Sequence, residues 1–246
     1  MNTKILTLAG LALCLCACGE KGKTEVVEQT EQLTATDAPD MVRDILEGKA
    51  ELNLDSFSWV NEPKVHSIHG DTLELVTEPA TDLWLHTMNA TDLVNAPVYV
   101  LNTKEKNFTF SVKTEFSDAK STYDQCGPVI YVDEDNWLKA SVEHWSDENG
   151  LLGSVNNQDG RSDWAPSPIP ASVRTVWYRV MRSGCDYMIM SSQDGEKYEI
   201  LRFCHLNHAD EEVRVGVYAC SPNKEGSFKA VFTDMKFSKM ERPSGE

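Results

Sequence analysis

The sequence predicts an all-β sandwich, and three observations predict it. Short runs that alternate apolar and polar residues recur about thirteen times between residues 57 and 239, with Gly, Pro, Asn and Asp standing between them. Almost no stretch carries the three-to-four-residue apolar period of a helix. The region that bears the runs, about 190 residues, suits one sandwich rather than two domains.

Taken in order, the chain opens on a targeting segment at residues 1–17. Lys4 supplies the positive start, and residues 5–15 form an apolar core too short to span a bilayer. The run ends in Leu15-Cys16-Ala17-Cys18-Gly19, which resembles a bacterial lipobox. Cys18 is the expected lipidation site, because a small residue precedes it whereas Leu15 precedes Cys16. Two or three acyl chains anchor a protein firmly. No other stretch is long and apolar enough to span. The expectation is a lipid-tethered envelope protein, and Gly19 in place of Asp after the cysteine favours the outer membrane by sorting convention.

Residues 18–50 read as the lipidated cysteine and a polar tether, with a short helical pattern at 40–48 built on Met41, Ile45 and Leu46 and stopped by Gly48. The sandwich domain is expected at 51–240. Its predicted strands are residues 57–60, 72–77, 83–87, 98–101, 108–116, 129–132, 137–143, 151–155, 176–182, 187–192, 198–203, 214–219 and 228–239. The net charge of −16 makes phosphate backbones a poor partner and keeps an exported chain soluble, so no nucleic acid is expected. Of seven cysteines, Cys126, Cys185, Cys204 and Cys220 remain beyond the lipidation site. Gln193-Asp194-Gly195-Glu196 reads as a hairpin turn, and pairing Ser192 with Lys197 would set Cys185 opposite Cys204, a candidate cross-strand disulfide.

The hairpin at residues 123–145 organises the candidate site. Residues 123–132 and 137–145 alternate, and Asp133, Glu134, Asp135 and Asn136 supply the turn. Successive side chains on a strand point to opposite faces. Trp137, Lys139, Ser141, Glu143 and Trp145 therefore share one face, with Leu138, Ala140, Val142 and His144 on the other. Two indoles around a Lys and a Glu are more than a half-buried strand requires. The same reading groups Tyr123, Gln125, Val129 and Tyr131 on the preceding strand, and Asp82, Trp84 and His86 opposite Leu83 and Leu85. Arg161, Asp163 and Trp164 are expected in a loop.

Seven motifs in order carry a family resemblance: Phe57-Ser58-Trp59-Val60-Asn61-Glu62-Pro63, Thr81-Asp82-Leu83-Trp84, Tyr123-Asp124-Gln125-Cys126-Gly127, Trp137-Leu138-Lys139-Ala140-Ser141-Val142-Glu143, Ser162-Asp163-Trp164, Ser192-Gln193-Asp194-Gly195 and Ala219-Cys220-Ser221-Pro222. Together they resemble the uncharacterised family labelled for a fungal "regulation of enolase" protein, within the concanavalin A-like lectin/glucanase superfamily. The resemblance implies a jelly-roll β-sandwich of two antiparallel sheets, one bent to leave a concave face. It says little about activity, since relatives of this fold include lectins, glycosidases and accessory domains. Cys126 stands where the family usually has Ala. Pro128 lacks an amide N–H, which predicts an edge or a bulge there.

A pyranose needs flat apolar surfaces and paired hydrogen-bonding groups. Trp84, Trp137, Trp145 and Trp164 with Asp82, Gln125, Lys139, Glu143 and Asp163 would supply both, so the expected partner is a carbohydrate bound without turnover. Two alternatives stay open. A glycan-cleaving enzyme would use Glu143 with Asp82 or Asp163 as its carboxyl pair, although the ExDxxE strand motif of jelly-roll glucanases is missing. A protein-interaction module at the envelope would need none of these residues. No cofactor motif is present. The paired histidines His66 and His69, and His205 and His208, could ligate a metal, although paired loop histidines are usually just solvated, and the acidic turn at 133–135 offers oxygen ligands for a structural Ca²⁺ without a calcium-loop pattern.

Overall fold

Alternation along the central strands of the first sheet sorts their side chains into a buried set between the two sheets and a second set on the outer face. The computed structural model describes residues 39–88 and 90–240. The lipobox and Cys18 lie outside the described residues, and no described helix is long and apolar enough to cross a membrane.

A short helix, α1 (Met41–Leu46), is followed by β1 (Ser58–Val60), β2 (Val65–His69), β3 (Thr72–Val76), β4 (Leu83–Trp84), β5 (Leu93–Val94), β6 (Val98–Thr103), β7 (Asn107–Glu115), β8 (Gln125–Asp133), β9 (Asn136–His144) and β10 (Asn149–Gln158). Then come β11 (Arg161–Pro170), β12 (Thr175–Ser183), β13 (Asp186–Ser192), β14 (Glu199–His205), β15 (Val213–Cys220) and β16 (Lys229–Ser238). The first sheet runs β1-β6-β15-β8-β9-β10-β11, the second β14-β13-β12-β7-β16-β3-β2, and β4 pairs with β5 apart from both. The pairings between these strands are all antiparallel, and one isolated parallel bridge joins Pro79 to Ser221. This is a jelly-roll β-sandwich, as the sequence predicts.

One large core lies between the sheets, with Leu138, Ala140 and Val142 of β9 and Val213, Val215, Val217 and Ala219 of β15 meeting Phe108, Phe110, Val180 and Phe232 of the second sheet. A smaller cluster covers the outer face of the first sheet, where Val129, Tyr131, Trp137, Val155 and Tyr218 pack under Leu83 and Ala96.

Residues 40–50, expected in the tether, belong to the domain. Asp40 caps α1 through the Arg43 N–H (3.2 Å), and its carboxylate also accepts from Thr103 Oγ1 (2.9 Å) and the Lys104 N–H (2.7 Å) on the body. Val42 is fully buried in the main core.

Three further expectations are corrected. β11 is a regular ten-residue edge strand rather than a loop. Its prolines 166, 168 and 170 hid it from a propensity reading, yet all three share one parity. Ser162, of that same parity, points its N–H away from β10 to the Leu85 carbonyl (3.1 Å). The missing amides therefore fall on the free edge, where no ladder needs them.

Pro128 sits in a central strand, between β15 and β9, and not at an edge. The β8–β9 ladder has no paired residues at Gly127 and Pro128. A Cβ on Gly127 would lie 1.8 Å from the Ala140 carbonyl oxygen, so only glycine fits that approach.

Cys204 faces Tyr187 rather than Cys185: Ser191 pairs with Glu199 beside the turn, one residue off the expected register, and a shift between Ile189 and Met190 adds a second, which leaves Cys185 in the turn before β13. Cys126, Cys185, Cys204 and Cys220 are all free thiols.

Candidate binding cavity on the outer face of the first sheet

Residues 77–88 and 90–97 cross the outer face of the first sheet, and the first of these arms is fastened at two places. At β15, the Thr81 N–H donates to the Ser221 carbonyl (3.1 Å) and the Ser221 N–H returns to Thr81 Oγ1 (3.1 Å). Beside β11, the Leu85 N–H donates to Ser162 Oγ (3.0 Å) and Thr87 Oγ1 donates to the Ser162 carbonyl (2.7 Å). Between these anchors lies a cavity of about 610 Å³. That is within the usual size of a small-molecule site.

Two cross-strand rows form its floor. In one, Val129, Lys139, Val155 and Trp164 stand opposite one another across β8, β9, β10 and β11. In the other, Cys220, Gln125 and Glu143 are aligned across β15, β8 and β9. The crossing segment adds Asp82, Trp84, Met88 and Leu93, and Tyr123 closes one side. Tyr123 holds a positive φ of 70°, anchored by its N–H to the His144 carbonyl (2.7 Å). Its ring meets those of Trp145 and Trp164 edge-on, at 5.5 and 6.4 Å.

Charge is concentrated at the bottom. Lys139 is 2% exposed, and its Nζ donates to Asp82 Oδ1 at 3.1 Å while lying over the rings of Tyr218 (5.2 Å) and Trp137 (5.7 Å). The same Asp82 oxygen accepts from the Leu83 N–H (2.7 Å) and the Cys220 thiol (3.6 Å). Burial alone would lower the pKa of Lys139, but the surrounding Asp82, Cys220 and Glu143 outweigh it and hold the ammonium charged. Glu143 follows the opposite course. Burial pushes its carboxyl up to about 8, with Asp82 adding to the rise and Lys139 opposing it. The Trp164 Nε1–H is buried without a full hydrogen bond, close enough to Glu143 to favour its charged form slightly. Gln125 is oriented on both sides: Oε1 accepts from Tyr218 (2.7 Å) and Ser141 (3.2 Å), and Nε2 donates to the Tyr123 carbonyl (3.2 Å).

Of the residues expected from sequence, Asp82, Trp84, Gln125, Lys139, Glu143 and Trp164 converge on this cavity. Three do not. Trp137 shares their face but is fully buried beneath the crossing segment, its Nε1–H donating to the Glu134 carbonyl (3.2 Å), so no ring face is left for a ligand. Trp145 lies past the end of β9, half exposed behind Tyr123. Asp163 points to the opposite face of β11, 71% exposed and paired with Arg202 of β14. His86, expected beside Trp84, turns away at a positive φ and pairs with Asp92 at 2.5 Å. The cavity also takes in Tyr123, Met88 and Leu93, which lie outside the residues expected from sequence. Tyr123 does fall on the same alternating face as Gln125, which is the signal that finds it.

His205 and His208 are occupied by ordinary partners. His205 Nδ1 faces Asp186 (2.8 Å) and His208 Nε2 faces Asp159 (3.0 Å). No group of three or more metal-ligating side chains occurs among the described residues. The acidic turn uses Asp133 Oδ1 to accept from the Asp135 N–H and Asn136 Nδ2, both at 2.9 Å.

Comparison with known proteins agrees with this architecture. The chain is 29% identical to "Regulation of enolase protein 1" of Saccharomyces cerevisiae over 177 residues, covering 72% of this chain and 86% of the relative. A crystal structure described as a functionally unknown protein from Saccharomyces cerevisiae matches with a TM-score of 0.70 and 28% identity, over 78% of this chain and all of the other. The GH43 BlXynB protein from Bacillus licheniformis shares the fold at 18% identity and a TM-score of 0.60, over 75% of this chain but only 37% of that one. The Bacteroides ovatus xyloglucan PUL GH43B does so at 18% and 0.58, over 77% and 38%. A family model described as "Protein of unknown function (DUF1349)" matches residues 59–240, nearly the whole sandwich, and the chain belongs to that family.

Proposed function

We propose that the protein binds a carbohydrate in the cavity between the first sheet and residues 77–97, without turning it over. The observation that carries this reading is the composition of the cavity. Apolar walls from Trp84, Tyr123 and Trp164 surround a small polar floor of Asp82, Gln125 and Glu143. Aromatic rings pack against the C–H face of a sugar, and a few convergent donors and acceptors fix its hydroxyls. Lys139 serves the site indirectly, by holding the Asp82 carboxylate in place at 3.1 Å.

The test is a glycan-array screen of the full-length protein in detergent, with released reducing sugar assayed in parallel. Binding without release, lost in Trp84→Ala and Trp164→Ala variants that still fold, is the expected result. Silence across the array would overturn the reading and leave a protein-binding role as the better account.

One observation favours the enzymatic alternative. A carboxyl that keeps its proton to about pH 8, on the same cavity floor as a second carboxylate at Asp82, is the kind of group that donates a proton to a leaving oxygen. Release of sugar that Glu143→Gln abolishes would establish it. Asp163 is a poor second carboxyl, because it lies outside the cavity in an ion pair with Arg202.

We further propose that Cys18 is lipidated and tethers this domain to the cell envelope. The support is the lipobox-like Leu15-Cys16-Ala17-Cys18 after a short apolar run. Metabolic labelling with palmitate should mark the wild-type chain and spare Cys18→Ser.

A further inference from the structure

The charges around the cavity narrow its ligand class, an inference that rests on the carbohydrate reading above. Lys139 is the sole cation among the described residues that line the cavity. It is already committed. Its Nζ donates to Asp82 Oδ1 (3.1 Å), it stands over two aromatic rings, and 2% of its side chain is exposed. Two carboxyl groups face the same space. Asp82 Oδ2 has no hydrogen-bond partner among the described residues, since the hydrogen bonds to that carboxylate all end on Oδ1. The Glu143 carboxyl is at ion-pair distance from no cation among the described residues, although the Lys139 charge favours its ionised form.

A ligand carboxylate or sulfate entering this space would give up its water and meet Asp82 with no unpaired cation to receive it. Desolvating a charge without a partner is strongly unfavourable. An uncharged ring meets no such penalty. One hydroxyl can donate to Asp82 Oδ2, and others can accept from the second Nε2–H of Gln125 or from Glu143, whose carboxyl keeps its proton at neutral pH. The chain's net charge of −16 adds a long-range bias in the same direction.

We propose that the cavity selects uncharged saccharides and excludes acidic ones, the uronates and sulfated sugars. A neutral sugar should bind tighter than its C6-carboxylate counterpart by on the order of a hundredfold, the scale of leaving a desolvated charge without a partner where Lys139 is already spent on Asp82.

The test titrates the full-length protein in detergent with a panel of neutral hexo- and pentosaccharides and with uronate and sulfated sugars of matched length. Binding confined to the neutral members supports the inference. Equal or preferential binding of the acidic members overturns it while leaving the carbohydrate reading intact. Silence across both sets removes the reading itself, and the inference with it. A second variant keeps the charge argument falsifiable. Thr91 is exposed at the cavity rim, so Thr91→Arg should fold normally and supply an unpaired cation. It should improve binding of an acidic sugar relative to its neutral counterpart about tenfold, a typical gain for one charge-assisted hydrogen bond. No gain in that variant would mean that charge is not what excludes acidic ligands.

Discussion

Lys139 and Asp82 meet at 3.1 Å across 57 residues of sequence, and this contact joins the crossing segment to the centre of the first sheet. It is a buried pair, so its role is best seen by breaking it. Lys139→Ala leaves a largely buried carboxylate uncompensated, which costs about 3–5 kcal/mol. Urea unfolding should show a lower midpoint with an unchanged slope. A loss below about 1 kcal/mol would mean that solvent reaches Asp82 and replaces the lysine.

Glu143 makes stability depend on pH in a defined window. Its carboxyl titrates near 8 in the folded protein against 4.5 for an ordinary glutamate. Between those values the folded protein keeps a proton that the unfolded chain releases, so stability falls as pH rises through the window. Glu143→Gln removes the effect. The variant should match wild type near pH 4.5 and exceed it at pH 9 by on the order of a few kcal/mol. Parallel denaturation curves at the two pH values check this; a constant difference would place the titration elsewhere.

The indoles on the outer face of the first sheet should separate by phenotype. Trp137 is fully buried, so Trp137→Ala should lower stability by about 3–5 kcal/mol. Trp84→Ala and Trp164→Ala should instead reduce glycan binding more than tenfold, with a smaller shift in thermal midpoint. Stacking and burial are distinguished by which measurement moves.

Gly127→Ala should be among the most damaging single changes. The added methyl would overlap the Ala140 carbonyl at 1.8 Å, and both belong to central strands that cannot separate cheaply. The expected loss exceeds about 3 kcal/mol, read as a fall in soluble yield and in unfolding midpoint. A near-neutral variant would mean that β8 and β9 can part at this point.

What the sequence reveals here is largely periodicity. The alternation of Leu138, Ala140 and Val142 against Trp137, Lys139 and Glu143 assigns both faces of β9 correctly, because one face packs on the second sheet and the other supports the crossing segment. Depth along a face is a different matter. Trp137 and Lys139 are neighbours of the same parity, and only the path of residues 77–97 decides that the indole is covered and the cavity begins beside the ammonium. That path depends on contacts such as Leu85 to Ser162, which no local pattern announces. Asp163 and Trp164 show the same limit in reverse. Read as a loop they belong together, whereas on an edge strand they point to opposite faces, one to Arg202 and one to the cavity. A turn one residue longer than expected and an extra residue on β14 likewise separate Cys185 from Cys204, a displacement that the Gln193-Asp194-Gly195-Glu196 signal alone does not encode.

The three prolines of β11 bear on how copies of this protein behave beside one another. An open sheet edge is a template on which a second chain can add a strand, the common route from a soluble β-sandwich to a fibre. Here the outermost strand on one side withholds the donors at alternate positions, and the outermost strand on the other side, β1, is only three residues long. The first sheet therefore has no long edge competent for strand addition, so crowding many copies together should not drive sheet-to-sheet polymerisation through it.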